Sequence, residues 1–249
     1  MRIVTWNCCR GPATKKLPLL DSLASTISVI QECPRPSHIN SSTLWFGDNP
    51  HQGIAVIASA DYHLSPIPTR EVPRYIIPIQ VTGPVSFLLL AVWSQQDRNF
   101  RYVKAIIRAV DCYRDLIVAQ STVVAGDFNS NTIWDYKRPC GQNHTGLVQN
   151  LATLGLVSAY HHFHGEAHGA ESRPTLYLLR NQARPYHIDY CFVPKNWTPH
   201  IQSVEVGAYD SWANVSDHRP LIVDLDLPRA ASFAAADALR QGSPAAARE

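Results

Sequence analysis

Five strand-sized apolar runs in this chain are broken or followed at once by a polar cluster, and that recurrence limits the fold more than any other feature. The clusters are Trp6-Asn7, Gln31-Glu32, Gly126-Asp127-Phe128-Asn129, His187-Ile188-Asp189 and Ser216-Asp217-His218-Arg219-Pro220. Charged groups seldom enter buried sheet unless they are paired, hydrogen-bonded or bound to metal. If the strands converge, the clusters pool several carboxylates beside one imidazole and two amides. A pool of hard oxygen ligands suits Mg²⁺ or Mn²⁺ far better than zinc.

Taken singly, each cluster has an ordinary explanation. Asp followed by Asn two residues later is a common turn or helix N-cap, and Glu32 reads equally well as a solvated strand end. Their joint occurrence is the signal.

Between the clusters the chain alternates β-rich runs with fewer helical patterns. Residues 2–7, 27–30, 45–47, 53–59, 75–81, 87–93 and 122–125 read as strands, as do 175–178, 188–193, 203–206 and 221–225. A hairpin is expected across Thr82-Gly83-Pro84. Short helices are expected over 18–24 and 146–154. The clearest helix starts at an Asn99 N-cap and aligns Val103, Ile106, Ile107, Val110, Tyr113 and Ile117 on one face. Many strands with few helices predict two packed sheets covered by helices. The Ala-rich stretch 229–249 carries no apolar period and is expected to be a disordered tail outside a single domain of residues 1–228.

Composition narrows the function classes. A chain of 249 residues with 45% apolar and 17% charged residues can bury a full core. Its longest apolar runs fall far below the roughly 20 residues of a membrane span, and no secretory leader is read at the N-terminus. The six cysteines form no C-x-x-C pair, so reduced thiols in a cytoplasmic monomer are expected. A net charge of +2 permits nucleic acid as a partner without arguing for it.

The stretches IVTWNCCRG, SVIQE, VVAGDFNSN, HIDYCFV and SDHRPLIVDL, in that order over residues 3–225, resemble the endonuclease/exonuclease/phosphatase superfamily. That superfamily includes exonuclease III-like and abasic endonucleases, deoxyribonuclease I, inositol polyphosphate 5-phosphatases and sphingomyelinases. The resemblance implies a four-layered α/β sandwich, with two mostly antiparallel sheets face to face and helices outside. It implies a Mg²⁺ or Mn²⁺ ion held chiefly by Glu32, with Asn7 and Asp217 assisting. Asp127 and Asn129 would orient the attacking water, with Asp127 the general base. His218, held by Asp189, would donate to a non-bridging phosphate oxygen. One departure weakens the likeness to abasic endonucleases: Trp93 and Ser94 occupy the region where many members place Tyr or His, and indole is no acid or base at ordinary pH.

The remaining signals are weaker. Four histidines at 161, 162, 164 and 168 invite a zinc reading, but the run lacks H-E-x-x-H spacing and is expected to be a Gly-containing loop. Arg173 and Arg184 are candidate phosphate contacts, Trp134 is a candidate base-stacking residue, and Arg10, Lys15 and Lys16 read as a solvated charge run. The leading expectation is a metal-dependent phosphodiesterase acting on DNA or RNA. Its rivals are a phosphatase or phosphodiesterase of a small or lipid-linked phosphate, and an inactive binding module on the same fold.

Overall fold

The computed structural model describes residues 1–69, 73–96, 102–137 and 139–228. The expected Asn99 cap and the Ala-rich tail lie outside the described residues.

Fourteen strands are present among these residues: β1 (Arg2–Asn7), β2 (Ile27–Cys33), β3 (Thr43–Asn49), β4 (Gln52–Ala58), β5 (His63–Pro66), β6 (Ile76–Thr82), β7 (Phe87–Trp93), β8 (Thr122–Asp127), β9 (Leu156–Ser158), β10 (Leu176–Tyr177), β11 (Pro185–Tyr186), β12 (Asp189–Pro194), β13 (Ile201–Val206) and β14 (Leu221–Leu225). The α-helices are α1 (Ala13–Asp21), α2 (Val103–Cys112), α3 (Arg114–Ala119), α4 (His144–Thr153), α5 (Ala159–His164) and α6 (Tyr209–Trp212).

Two six-stranded sheets form, in the orders β13-β14-β1-β2-β4-β3 and β5-β6-β7-β8-β12-β9, with β10 and β11 a separate hairpin. Each large sheet holds one parallel pair, β1 with β2 and β7 with β8, and is otherwise antiparallel. Helix α1 joins the first parallel pair, and α2 with α3 the second. The expected hairpin at Thr82-Gly83-Pro84 joins β6 to β7.

The apolar runs are continuous because the central strands are covered on both faces. In β7, Phe87, Leu89, Ala91 and Trp93 enter the core between the sheets, while Leu88, Leu90 and Val92 pack under α2 and α4. Helix α2 turns Val103, Ile106 and Val110 inward at helical spacing. On the outer face of the first sheet, Trp6, Cys8 and Ile30 meet Leu20 of α1 and Trp212 of α6. Helix, sheet, sheet and helix therefore stack in four layers. Truncating a core residue such as Leu89 to Ala is expected to cost about 2–5 kcal/mol.

Two helical expectations need correction. The helix expected over 18–24 runs instead from Ala13 to Asp21, with Pro18 inside it. Lys16, read as solvated, is buried on this helix beside Leu20. Its ammonium reaches the carbonyls of Cys8 and Val215, and its apolar stem makes it count as core. The histidine run is no plain loop either: α5 carries its first three members. All six cysteines are unpaired thiols. Among the described residues, no helix is long and apolar enough to cross a membrane.

Candidate active site

The predicted polar clusters meet at one end of the two sheets. Strands β1, β2 and β8 run toward that end and finish in Asn7, in Glu32 and the following Cys33, and in Asp127. Strand β12, antiparallel to β8, starts there, with Asp189 directly opposite Asp127. The segment entering β14 brings Asp217 and His218. Strand periodicity sets the aim of each side chain. Asn7 shares parity with Ile3, Asp127 with Val123 and Ala125, and Asp189 with Cys191 and Val193, all core residues of the face between the sheets.

Glu32 arrives differently. The register of β2 against β4 shifts between Ile30 and Cys33, and Glu32 has φ +52°. This bulge re-aims its side chain. Glu32 Oε1 lies 3.4 Å from Asn7 Nδ2, and Oε2 lies 3.3 Å from Arg10 Nε.

Asp127 sits at the centre of an amide cradle. Its Oδ2 accepts from Asn7 Nδ2 and from Asn129 Nδ2, both at 3.0 Å, and its Oδ1 accepts from the Asn129 backbone N–H at 2.9 Å. Asn129 Nδ2 is fixed in turn by the Ser94 carbonyl at 3.0 Å. Opposite, His218 Nδ1 donates to Asp189 Oδ2 at 2.9 Å. Asp189 Oδ1 is buried and has no hydrogen-bond partner among the described residues. Asp127, Asp189 and His218 each present an atom within 4.8 Å of the others.

Electrostatics separates the roles. Burial and then the Asp189 charge push Asp127 up to about 7. Burial pulls His218 down, but the charge and hydrogen bond of Asp189 outweigh it and raise the imidazole to about 10. That shift favours the protonated imidazole. On the oxygen-rich side of the site lie Glu32, Asn7 and the half-buried Asp217, whose carboxylate neighbours Cys9.

The weaker sequence candidates divide. Trp93 is buried against Tyr75, ring centroids 4.9 Å apart, and belongs to the core between the sheets, so it offers no face to a substrate. Trp134 is half-buried and stacks obliquely on Tyr186 at 5.3 Å. Both line a cavity of about 350 Å³ that also touches Asn129, Lys137, Leu176, Leu178 and Ile188. Arg173 bonds His164 and lies 3.7 Å from Glu166, so its charge is already met. Arg184 is exposed on the connection between β10 and β11.

Several positioning residues escape a sequence reading. Thr175 Oγ1 accepts from the backbone N–H groups of Ile188 and Asp189, both at 3.0 Å. Ser216 Oγ donates to the Asn7 carbonyl at 2.7 Å and accepts from the His218 N–H at 2.9 Å. Arg219 is fully buried between the rings of Tyr177 and Tyr209, 5.0 and 4.8 Å away, and donates to the carbonyls of Ser216 and His218. Ser216 and Arg219 stand in the polar cluster at 216–220, but their hydrogen-bonding roles, like that of Thr175, carry no sequence signal.

No family model matches this chain, and no curated protein matches it. Solved structures do. The 3'-5' exonuclease NExo from Neisseria meningitidis superposes with a TM-score of 0.67 at 20% identity, over 91% of this chain and 100% of that one. The Neisseria 3' phosphatase NExo bound to a product DNA hairpin gives 0.66 at 19% identity, with the same 91% and 100% coverage. An AP endonuclease from Archaeoglobus fulgidus gives 0.65 at 14% identity, again over 91% and 100%. Likeness at these identities establishes architecture: the chain has the endonuclease/exonuclease/phosphatase fold that its motifs resemble.

Proposed function

We propose that this protein is a divalent-cation-dependent phosphodiesterase that hydrolyses nucleic acid. The observation that carries the reading is a buried carboxylate cradled by two amides, Asp127 with Asn7 and Asn129, close to His218, which is held by Asp189.

Hydrolysis of a phosphodiester needs a base for the attacking water and donors for the charge growing on the phosphoryl oxygens. Asp127, raised to about 7, is a carboxylate basic enough to accept the water's proton near neutrality. Asn7 and Asn129 fix its oxygens, leaving little freedom to lose on reaction. His218 Nδ1 is committed to Asp189, which leaves Nε2–H to donate to a non-bridging oxygen. Glu32, Asn7 and Asp217 would hold Mg²⁺ or Mn²⁺, and all of them offer hard oxygen donors. When bound, that ion neutralises charge on the phosphoryl group.

The cavity beside Asn129 favours nucleic acid over a small phosphate. Trp134 and Tyr186 give it aromatic faces, Leu176, Leu178 and Ile188 an apolar floor, and Lys137 a cation. Such a surface suits a base or sugar next to the scissile phosphate. The DNA hairpin bound by the Neisseria phosphatase supports the same substrate class.

The test is a substrate panel of single-stranded DNA, abasic duplex, RNA, inositol phosphates and sphingomyelin, with Mg²⁺ or Mn²⁺ and with EDTA. Cleavage of a nucleic acid that EDTA stops is the expected result. Turnover confined to inositol phosphates or sphingomyelin, or turnover that survives EDTA, overturns it.

A further inference from the structure

The histidine-rich segment lies behind the candidate active site and takes no part in the reaction described above. Helix α5 ends at Gly165, with φ +67°, and the chain doubles back through Gly169, with φ +91°. This return lays His168 on His161, ring centroids 3.5 Å apart and planes inclined by 17°. His161, His168 and Glu171 then each offer a ligand atom within 4.8 Å of the others. Two further imidazoles flank them: His144 stands 5.4 Å from His168, and His187 stands 5.8 Å from His161.

We propose that His161, His168 and Glu171, flanked by His144 and His187, form a second metal site for a borderline divalent transition ion of the Zn²⁺ type. Its role is to brace the loop carrying Asn129 against the strand carrying Asp189.

The way these imidazoles are held argues for a site over plain packing. Metal-binding histidines commonly have one ring nitrogen fixed by a protein group and the other presented to the ion. His161 Nδ1 is 2.7 Å from Ser158 Oγ, His144 Nδ1 is 3.2 Å from Ser130 Oγ, and His187 Nδ1 is 2.8 Å from the Arg173 carbonyl. A carbonyl only accepts, so His187 Nδ1 carries the proton and Nε2 is a bare lone pair. That Nε2 is buried with no hydrogen-bond partner among the described residues, as are His144 Nε2 and His168 Nδ1. His144 and His187 are 1% and 3% exposed, so water does not readily satisfy them. Buried ring nitrogens without partners are costly unless something binds them.

The chemistry matches the ligand. Imidazole nitrogens with one carboxylate suit Zn²⁺, in contrast with the oxygen-rich site at Glu32. Ion binding replaces the 3.1 Å hydrogen bond between His161 Nε2 and Glu171 Oε1 and turns the His168 ring out of its stack.

The link to the catalytic end runs through Asn131. Its Nδ2 donates to Glu171 Oε1 at 3.0 Å, to the His187 carbonyl at 2.8 Å and to the Tyr190 hydroxyl at 3.0 Å. Asn131 follows Asn129 by two residues, and His187 precedes Asp189 by two.

The experiment titrates chelator-stripped full-length protein with Zn²⁺ against a chromogenic zinc indicator, in excess Mg²⁺ to occupy the oxygen site, and records thermal melting in parallel. One equivalent of Zn²⁺ and a higher Tm are expected for the wild type and for Glu32→Gln and His162→Ala. His168→Ala and Glu171→Gln should lose that equivalent. No bound Zn²⁺ in the wild type, or the same stoichiometry in His168→Ala, overturns the site; loss in Glu32→Gln alone moves the zinc to the active site and also overturns it. If His168→Ala does not fold, Ser158→Ala decides, since it leaves every ligand in place and frees only His161 Nδ1. Its Zn²⁺ affinity should fall about 10–100-fold, and an unchanged affinity refutes the proposal.

Discussion

His218 Nδ1 stands 2.9 Å from Asp189 Oδ2, with the imidazole side chain 7% exposed and the carboxylate fully buried. A pair so placed is a commitment. One ring nitrogen is committed to Asp189, which leaves Nε2 for another partner. Asp189 itself is pinned through its backbone N–H on Thr175.

If His218 acts as a charged donor to phosphate, His218→Ala should lower kcat by roughly 10²–10³-fold, the range for losing one preorganised donor. Asp189→Asn keeps the shape but removes the charge that raises the imidazole. It should lower kcat and also move the basic limb of the pH profile toward neutrality. Steady-state rates across pH for both variants check this, and wild-type turnover in both would remove the assignment.

The pH dependence of the wild type follows from two groups with opposite requirements. Asp127 must be ionised, so kcat/KM rises as pH climbs through about 7. His218 must be protonated, so the rate falls only as pH passes about 10. A bound cation draws the acid limb lower by favouring the carboxylate. A fall centred near 6.5, the ordinary imidazole value, would show that His218 is not raised. In the folding equilibrium the same histidine contributes stability below 6.5 that is lost as pH rises toward 10.

Glu32, the chief cation ligand of the proposed function, is half-buried and aimed by a bulge at Asn7. Glu32→Gln keeps the oxygen count at one amide and removes the charge. The concentration of Mg²⁺ giving half-maximal rate should rise by about tenfold or more, while the melting temperature changes little. An unchanged Mg²⁺ requirement would place the ion elsewhere.

Much of this site is legible in the chain because strand geometry is simple. Asn7, Asp127 and Asp189 fall at the ends of apolar runs, and period-two alternation aims all three at the space between the sheets. Glu32 is legible in position but not in direction, since a one-residue bulge with φ +52° leaves no mark in the local pattern. The positioning roles of Ser216 and Thr175 are illegible for another reason. Thr175 Oγ1 meets backbone N–H groups 13 and 14 residues away and Ser216 Oγ a carbonyl 209 residues away, so neither contact marks the local pattern. Strands β9 and β11 span only three and two residues, too short to show a period. Lys16 is misread when charge is taken as exposure, since its alkyl stem can be buried, and α5 is misread as loop because it is a six-residue helix closed by Gly165.

The glycine preceding Asp127 is a structural requirement of the site. Strands β7 and β8 pair in parallel with Val92 opposite Gly126, and a Cβ on Gly126 would lie 1.8 Å from the Val92 carbonyl oxygen. The next pair in register is Trp93 with Asp127, so any separation of the strands displaces the base. Gly126→Ala should destabilise the fold by about 1–3 kcal/mol or more and lower turnover of whatever folds. Thermal denaturation gives the answer, and a Tm equal to wild type would mean the strands part without cost.

Trp134 separates a nuclease from an enzyme of small phosphates. It lines the cavity beside Asn129 together with Tyr186 but touches none of the acid–base groups through a hydrogen bond. Loss of one base–aromatic stack is worth about 1–3 kcal/mol, so Trp134→Ala should raise KM for an oligonucleotide by roughly 5- to 150-fold. The same variant should hydrolyse a small aryl phosphodiester at the wild-type rate, since that substrate is too short to reach the ring. Equal losses on both substrates would make Trp134 a support for the fold around Asn129, and no loss on either would leave the cavity outside the substrate path.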